Sequence, residues 1–193
     1  MLERRVSAEK EESITATDFV MGRPSSWFLW HRQIFQPGMR VLDLACGSGK
    51  YALAAATSGC NVTAIDLDSE RLKEAQEYAA SQSIDIEWLR EDLKVYSPPA
   101  DSFDVVMVFN YLDRSRIERW IGAVKKNGFL MYETFLGSQR DQEWGPTSPD
   151  HLLEPWELHG LANPLEVVHY REVLEMRGEK LAAVASLLAM RTE

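Results

Sequence analysis

Two glycines one residue apart, with an acid four residues before the first, mark where this chain could do chemistry. They lie in Val41-Leu42-Asp43-Leu44-Ala45-Cys46-Gly47-Ser48-Gly49-Lys50-Tyr51-Ala52. A strand that ends in a glycine turn and feeds a helix builds a nucleotide-sized notch at the carboxyl edge of a parallel sheet. Gly47 and Gly49 admit positive φ and leave the backbone bare where a ligand must come close. Asp43 narrows the charge of that ligand. A pyrophosphate would be repelled by a carboxylate there, whereas a cation would be attracted. Asp66 closes the next apolar run, Asn61 to Ile65. It lies about twenty residues after Gly47, where a carboxylate can accept both hydroxyls of a ribose.

The rhythm of the chain supplies the elements that would position these groups. Ser25-Ser26 offers an N-cap for a helix running from Trp27 to Phe35, which Pro37-Gly38 ends. A first strand spans Arg40 to Leu44, a crossover helix Lys50 to Thr57, and a second strand Asn61 to Ile65. A helix over Ser69 to Ser81, with Ser69 as its cap, precedes a third strand over Ile84 to Leu89. Phe103 to Phe109 is almost wholly apolar, as expected of a central strand covered on both faces. Ser115 to Lys126 reads as a helix stopped by Asn127-Gly128, and Phe129 to Phe135 as a fifth strand. The tail changes character: Leu165 to Glu175 and Lys180 to Arg191 read as two strands of an antiparallel hairpin. The expected fold is α/β, a Rossmann-like doubly wound sheet of five parallel strands plus a C-terminal antiparallel hairpin. Residues 1–24 read as an N-terminal arm and 25–193 as one domain.

The bulk properties exclude several function classes. A chain of 193 residues supports one sizeable core. Its 30 acidic residues outnumber 21 basic ones, for a net charge of -9, which disfavours a nucleic-acid substrate. No apolar run reaches membrane-spanning length, and the charged start, Met1 to Glu12, lacks a secretory core. A cytoplasmic protein that does not engage membranes is expected. Cys46 and Cys60 form neither a CxxC pair nor a disulfide framework, and no metal site is expected. Cys46 reads as a small packing residue of the glycine turn.

Four motifs in order resemble the class I S-adenosylmethionine-dependent methyltransferases. They are Asp43-Leu44-Ala45-Cys46-Gly47-Ser48-Gly49, the acid Asp66 after the second strand, Asp92 in Arg90-Glu91-Asp92-Leu93, and Phe103-Asp104-Val105-Val106. Within that class, Glu133-Thr134-Phe135 and Pro149-Asp150-His151-Leu152-Leu153-Glu154-Pro155 resemble the small bacterial tellurite-resistance-type enzymes. The resemblance implies S-adenosyl-L-methionine as cofactor, a ligand whose ammonium and sulfonium suit Asp43. It implies backbone contacts from Ala45, Cys46, Gly47 and Gly49, and ribose hydroxyls on Asp66. Asp92 would meet the adenine amine, with Glu91 as the adjacent alternative, and Leu67 and Leu93 would sandwich the ring. Arg32 and Ser26 are the candidates for the methionine carboxylate. The implied activity is in-line methyl transfer to a small-molecule or oxyanion acceptor.

The acceptor should sit where Asn110 and Tyr111 follow the fourth strand. Asn110 is also a cofactor candidate, while Tyr111, His31 and His151 are the candidate catalytic groups. Glu133, Arg140 and Trp144 are further possible substrate contacts; His159 and His169 read as structural. Asn110-Tyr111-Leu112-Asp113 lacks the proline-rich signature of enzymes that methylate base amino groups. Two other readings stay open. Gly47-x-Gly49-x-x-Ala52 also satisfies the dinucleotide fingerprint of an NAD-dependent oxidoreductase. A non-catalytic module holding the same cofactor would carry the same motifs.

Overall fold

The computed structural model describes residues 22–193; most of the expected N-terminal arm lies outside them. Seven strands form one sheet in the order β3-β2-β1-β4-β5-β7-β6. These are β1 (Arg40–Leu44), β2 (Asn61–Asp66), β3 (Glu87–Arg90), β4 (Phe103–Phe109), β5 (Val124–Phe135), β6 (Glu166–Arg177) and β7 (Lys180–Met190). The first five run parallel, and β7 pairs antiparallel with both β5 and β6. Strand order reverses between β1 and β4, so a crevice opens at their carboxyl ends.

Alternation along the strands divides the core into two faces. Val41, Val105, Met107, Met131 and Leu188 pack toward α1 (Ser26–Trp30), α2 (Lys50–Thr57) and α3 (Ser69–Ser81). Leu42, Leu44, Val106, Val108, Leu130 and Leu187 pack toward α4 (Ile117–Ala123) and α5 (Glu157–Leu161). By the same alternation, Asp43 points to the α1–α3 face.

Several expectations are corrected. The first helix ends at Trp30, and Arg32–Ile34 forms a separate 3-10 turn. His31 breaks it at φ -106°, ψ 11°, its ring held by the Trp27 carbonyl and by His169. The cap of α3 is Asp68, not Ser69, because its Oδ1 accepts from the amides of both Glu70 and Arg71. β3 is confined to Glu87–Arg90, while the preceding Ile86 fills the core. Asn127-Gly128 does not stop a helix. The helix α4 ends at Ala123, β5 begins at Val124, and Asn127 takes a left-handed φ of 61° inside the strand. Close passage of Gly128 against the Asp104 carbonyl, 2.8 Å from where a Cβ would stand, explains the glycine there.

The long segment 137–163 is folded back and anchored. Arg114 forms an ion pair with Glu157 and donates to the Leu152 and Asp150 carbonyls. Leu153 bridges Leu136, its amide bonding the Phe135 carbonyl at 2.9 Å. On the far side, Phe135, which ends β5, pairs with Val184. The tip of the β6–β7 hairpin, residues 174–183, therefore projects past the sheet edge.

Candidate functional site

The glycine turn and the end of β2 are locked together. Asp66 Oδ2 accepts from the Gly47 amide at 2.7 Å, and Oδ1 accepts from the Asp68 amide at 2.9 Å. Each oxygen keeps a further lone pair for a ligand hydroxyl. Ala45, Gly47 and Gly49 all take left-handed φ angles of 56°, 56° and 74°, which curls the backbone around the edge. A Cβ on Gly47 would meet only the Arg71 guanidinium, at 3.5 Å. Gly49 differs from expectation: a Cβ there would overlap the Trp88 ring. Its bareness serves packing against β3 rather than an approaching ligand. Cys46 behaves as the small packing residue expected; it is buried, and burial pushes its thiol pKa up.

Asp43 is the unusual group. It is 1% exposed, and neither carboxylate oxygen finds a hydrogen-bond partner among the described residues. Burial pushes its pKa up to about 8 and Asp66 adds to the shift, while the Ala52 backbone amide and the Lys50 ammonium oppose it. A buried carboxylate without a full hydrogen-bond partner costs free energy unless a donor or cation arrives. A ligand ammonium meets that need.

Asp92 is half-buried, with Oδ1 accepting from the Lys94 amide at 2.9 Å. Leu67 is 56% exposed beside Asp66, whereas Leu93 is buried in the core on the α4 side. At the end of β4, Asn110 takes φ 57° and its Oδ1 accepts from Arg177 at 2.7 Å. Tyr111 is half-buried, and burial followed by the charges of Asp113 and Asp92 raises its hydroxyl pKa. It therefore stays protonated and can donate a hydrogen bond.

Sequence reading missed a buried ionic network beside this edge. Register aligns Arg171, Ser186 and Glu133 in one row across β6, β7 and β5. Glu133 is fully buried and accepts from Arg171, Arg177 and Ser186. Glu175 accepts from Arg171, Arg177 and Ser26. Arg171 also lies over the Trp27 and Trp30 rings, at 5.0 and 4.8 Å, and so clamps α1 to the hairpin. One signal was available. Arg171, Glu175 and Arg177 share one face of β6 by period two, opposite a strand, β7, whose central polar residue is Ser186 alone.

The other candidates separate. His31 is buried, with Nδ1 2.9 Å from the Trp27 carbonyl and Nε2 2.9 Å from His169 Nδ1. The row through His169, Leu188, Met131 and Met107 ends at Asp43, two residues short of the Glu133 row. His31 thus faces structural partners below the edge, and His169 shares in that role. Arg32 is exposed in the 3-10 turn leading down to the start of β1, away from the glycine turn. His151 is exposed on the segment that Arg114 holds near the end of β5. Trp144 supports the hairpin through its Nε1 bond to the Leu181 carbonyl, and Arg140 is exposed. Among the described residues no cluster of potential metal ligands occurs, and no helix is long and apolar enough to cross a membrane.

Comparison with known proteins agrees with this geometry. A family described as "Methyltransferase domain" matches residues 41–128, the stretch from β1 into β5. A ubiquinone biosynthesis O-methyltransferase of Coxiella burnetii is 27% identical over 108 residues, covering 53% of this chain and 46% of that protein. A Geobacillus protein named as a methyltransferase is 30% identical over 147 residues, covering 69% of this chain and 59% of that protein. The chain thus spans about half the length of the curated relatives it matches. Among solved structures, TehB from Haemophilus influenzae superposes with a TM-score of 0.72 at 18% identity, over 87% of this chain and 62% of TehB. The matched motifs are those around Asp43 and Asp66, and the fold is the one they require. Residues 41–128 match a methyltransferase domain family, and the fold around them is that of S-adenosylmethionine-dependent methyltransferases of known structure.

Proposed function

We propose that the protein transfers a methyl group from S-adenosyl-L-methionine to a small-molecule acceptor. The observation that carries this reading is the buried, unpartnered Asp43 carboxylate at the glycine turn. It suits a cationic amino-acid moiety and opposes the pyrophosphate of NAD. Asp66 would take the ribose hydroxyls, Asp92 the adenine amine, and the backbone of Ala45 to Gly47 would line the ligand. The bound sulfonium supplies the electrophilic methyl group. The chain's own task is to place an acceptor in line with it and to exclude water, a contribution of roughly 7–11 kcal/mol in the best models.

On the acceptor side, Asn110, Tyr111 and Arg177 border the edge under the projecting hairpin. Arg177 is already shared between Glu133, Glu175 and Asn110. An anionic acceptor, including an oxyanion, would draw on the remaining donor capacity of that guanidinium. Tyr111 would donate a hydrogen bond. His151, exposed on the segment that Arg114 holds, is the candidate for handling the acceptor's proton. The acidic balance of the chain favours a small acceptor over nucleic acid. Both cysteines are free and buried, which suits a reducing cytoplasmic compartment.

Calorimetry with S-adenosylmethionine, S-adenosylhomocysteine and NAD tests the cofactor. Binding of both sulfur ligands without NAD is the expected result; micromolar NAD binding without either would overturn the reading. Incubation with radiolabelled methyl donor and a panel of tellurite, selenite, thiols and phenols tests the acceptor. Tight cofactor binding without methylation of any small molecule would instead favour a non-catalytic module.

A further inference from the structure

The cations bordering the crevice are not equally occupied. Arg171 and Arg177 each bond both Glu133 and Glu175. Lys50, the first residue of α2 and the neighbour of Gly49, has no carboxylate within ion-pair distance and no hydrogen bond among the described residues. Its ammonium lies 4.8 Å from the centre of the Tyr51 ring, and that ring is itself fixed by stacking on Phe109 at 3.7 Å. The side chain is half-buried, and burial lowers its pKa, with Arg177 lowering it further and Glu133 and Asp43 opposing.

The Tyr51 ring is the one close partner this placement gives the ammonium among the described residues. A cation at the amino end of a helix opposes the helix dipole, and burial without a carboxylate partner adds a desolvation cost. The same edge holds the mirror-image anomaly in Asp43. The two groups are close enough to influence each other electrostatically, yet no ion pair joins them. A space bounded by a buried carboxyl group that a ligand cation would ionise and by an ammonium with no carboxylate partner among the described residues matches a zwitterion. Arg32, the carboxylate ligand suggested by sequence resemblance, is exposed in the 3-10 turn that precedes β1.

We propose that Lys50 receives the carboxylate of the cofactor's methionine portion, so that Asp43 and Lys50 form a slot for an α-amino-acid zwitterion. This rests on the cofactor reading above, and it makes Lys50 a specificity determinant for the amino-acid end of the ligand. Decarboxylated S-adenosylmethionine is the discriminating probe, because it keeps the ammonium, the sulfonium and the nucleoside and loses only the carboxylate.

The experiment is calorimetry of the full chain and of its Lys50→Met, Lys50→Gln and Lys50→Arg variants, each first shown to unfold cooperatively. Ligands are S-adenosylmethionine, its decarboxylated form and 5′-methylthioadenosine. The wild type should prefer the carboxylated ligand. Lys50→Met and Lys50→Gln should lose about 10- to 100-fold for S-adenosylmethionine, the usual range for a hydrogen bond between charged groups, while binding of the decarboxylated ligand stays nearly constant. Lys50→Arg should restore most of the preference. Equal weakening toward all three ligands would show Lys50 to be merely structural, and unchanged binding would remove it from the site; either overturns the inference. Failure of the wild type to bind any of the three would instead sink the cofactor reading beneath it.

Discussion

Replacing Asp43 with Asn should make the ligand-free protein more stable and the protein less able to bind its cofactor. Asp43 is 1% exposed with both oxygens unpartnered, and its pKa is raised to about 8 from an ordinary 3.8. The sign follows from linkage. Between those two values the folded state holds a proton that the unfolded state releases, so stability falls as pH rises through the window. At about 1.36 kcal/mol per unit, burying this one group, protonated in the fold and ionised in the unfolded chain, costs at most about 4 kcal/mol at pH 7 and about 5 kcal/mol at pH 8. An amide at the same place is neutral throughout. Urea unfolding of wild type and Asp43→Asn should therefore give similar stabilities near pH 4 and a gap that widens steadily toward pH 8. Calorimetry should show the converse for ligand. Loss of the buried carboxylate should cost about 2–5 kcal/mol of binding to S-adenosylhomocysteine, the range for cutting one partner from a buried charge pair. Binding to wild type at pH 7 should release close to one proton, read from the dependence of the heat on buffer ionisation. If the stabilities ran parallel with pH, or if Asp43→Asn bound the ligand as tightly as wild type, the assignment of Asp43 would be refuted.

Three further outcomes are expected. Gly49→Ala sets a Cβ against the Trp88 ring at a φ of 74°, and overpacking of this kind costs about 1–3 kcal/mol. Thermal melting should show a drop of about 2–4 °C per kcal/mol for a chain of this size, part of it recovered by Trp88→Leu; full stability of Gly49→Ala would contradict the packing. Glu133→Ala leaves two guanidiniums without their shared buried acceptor, a loss of about 3–5 kcal/mol measurable by urea titration. A change below about 1 kcal/mol would mean that the network is slack. Burial lowers the pKa of His31, so the unfolded state takes up more protons below the ordinary value of 6.5 and stability falls as pH drops into that range. His31→Gln should flatten the pH 5–6.5 part of the stability curve; an unchanged slope would assign the titration elsewhere.

The ends of β1, α2 and β4 could be read residue for residue from the chain, because each is marked locally by glycine or a continuous apolar run, whereas α3 kept its expected span with Asp68 in place of Ser69 as its cap. Errors gathered where long-range contacts override local signals. Asn127-Gly128 carries the sequence of a helix stop, yet pairing of Val124 with Phe103 makes the segment a strand. His31 sits within a helix-like run, and its bonds to Trp27 and His169 end the helix early. At Gly49 the fold adds a requirement that the sequence does not show, since the Trp88 ring, 39 residues away in the chain, stands where a Cβ would.

The chain by itself pointed to a methyltransferase domain and to the edge where we propose the cofactor sits, because Asp43, the glycines and Asp66 act through spacing along a strand, a turn and the next strand. Local geometry suffices to bring such groups together. Only the tertiary structure decided which charges are satisfied. Glu133, Arg171, Glu175, Arg177 and Ser26 come from three elements and meet through sheet register and the clamp on α1. Whether a carboxylate or an ammonium is left unpaired depends on every neighbour that could have reached it. That is why Lys50, and the unpartnered state of Asp43, stand out only in the fold.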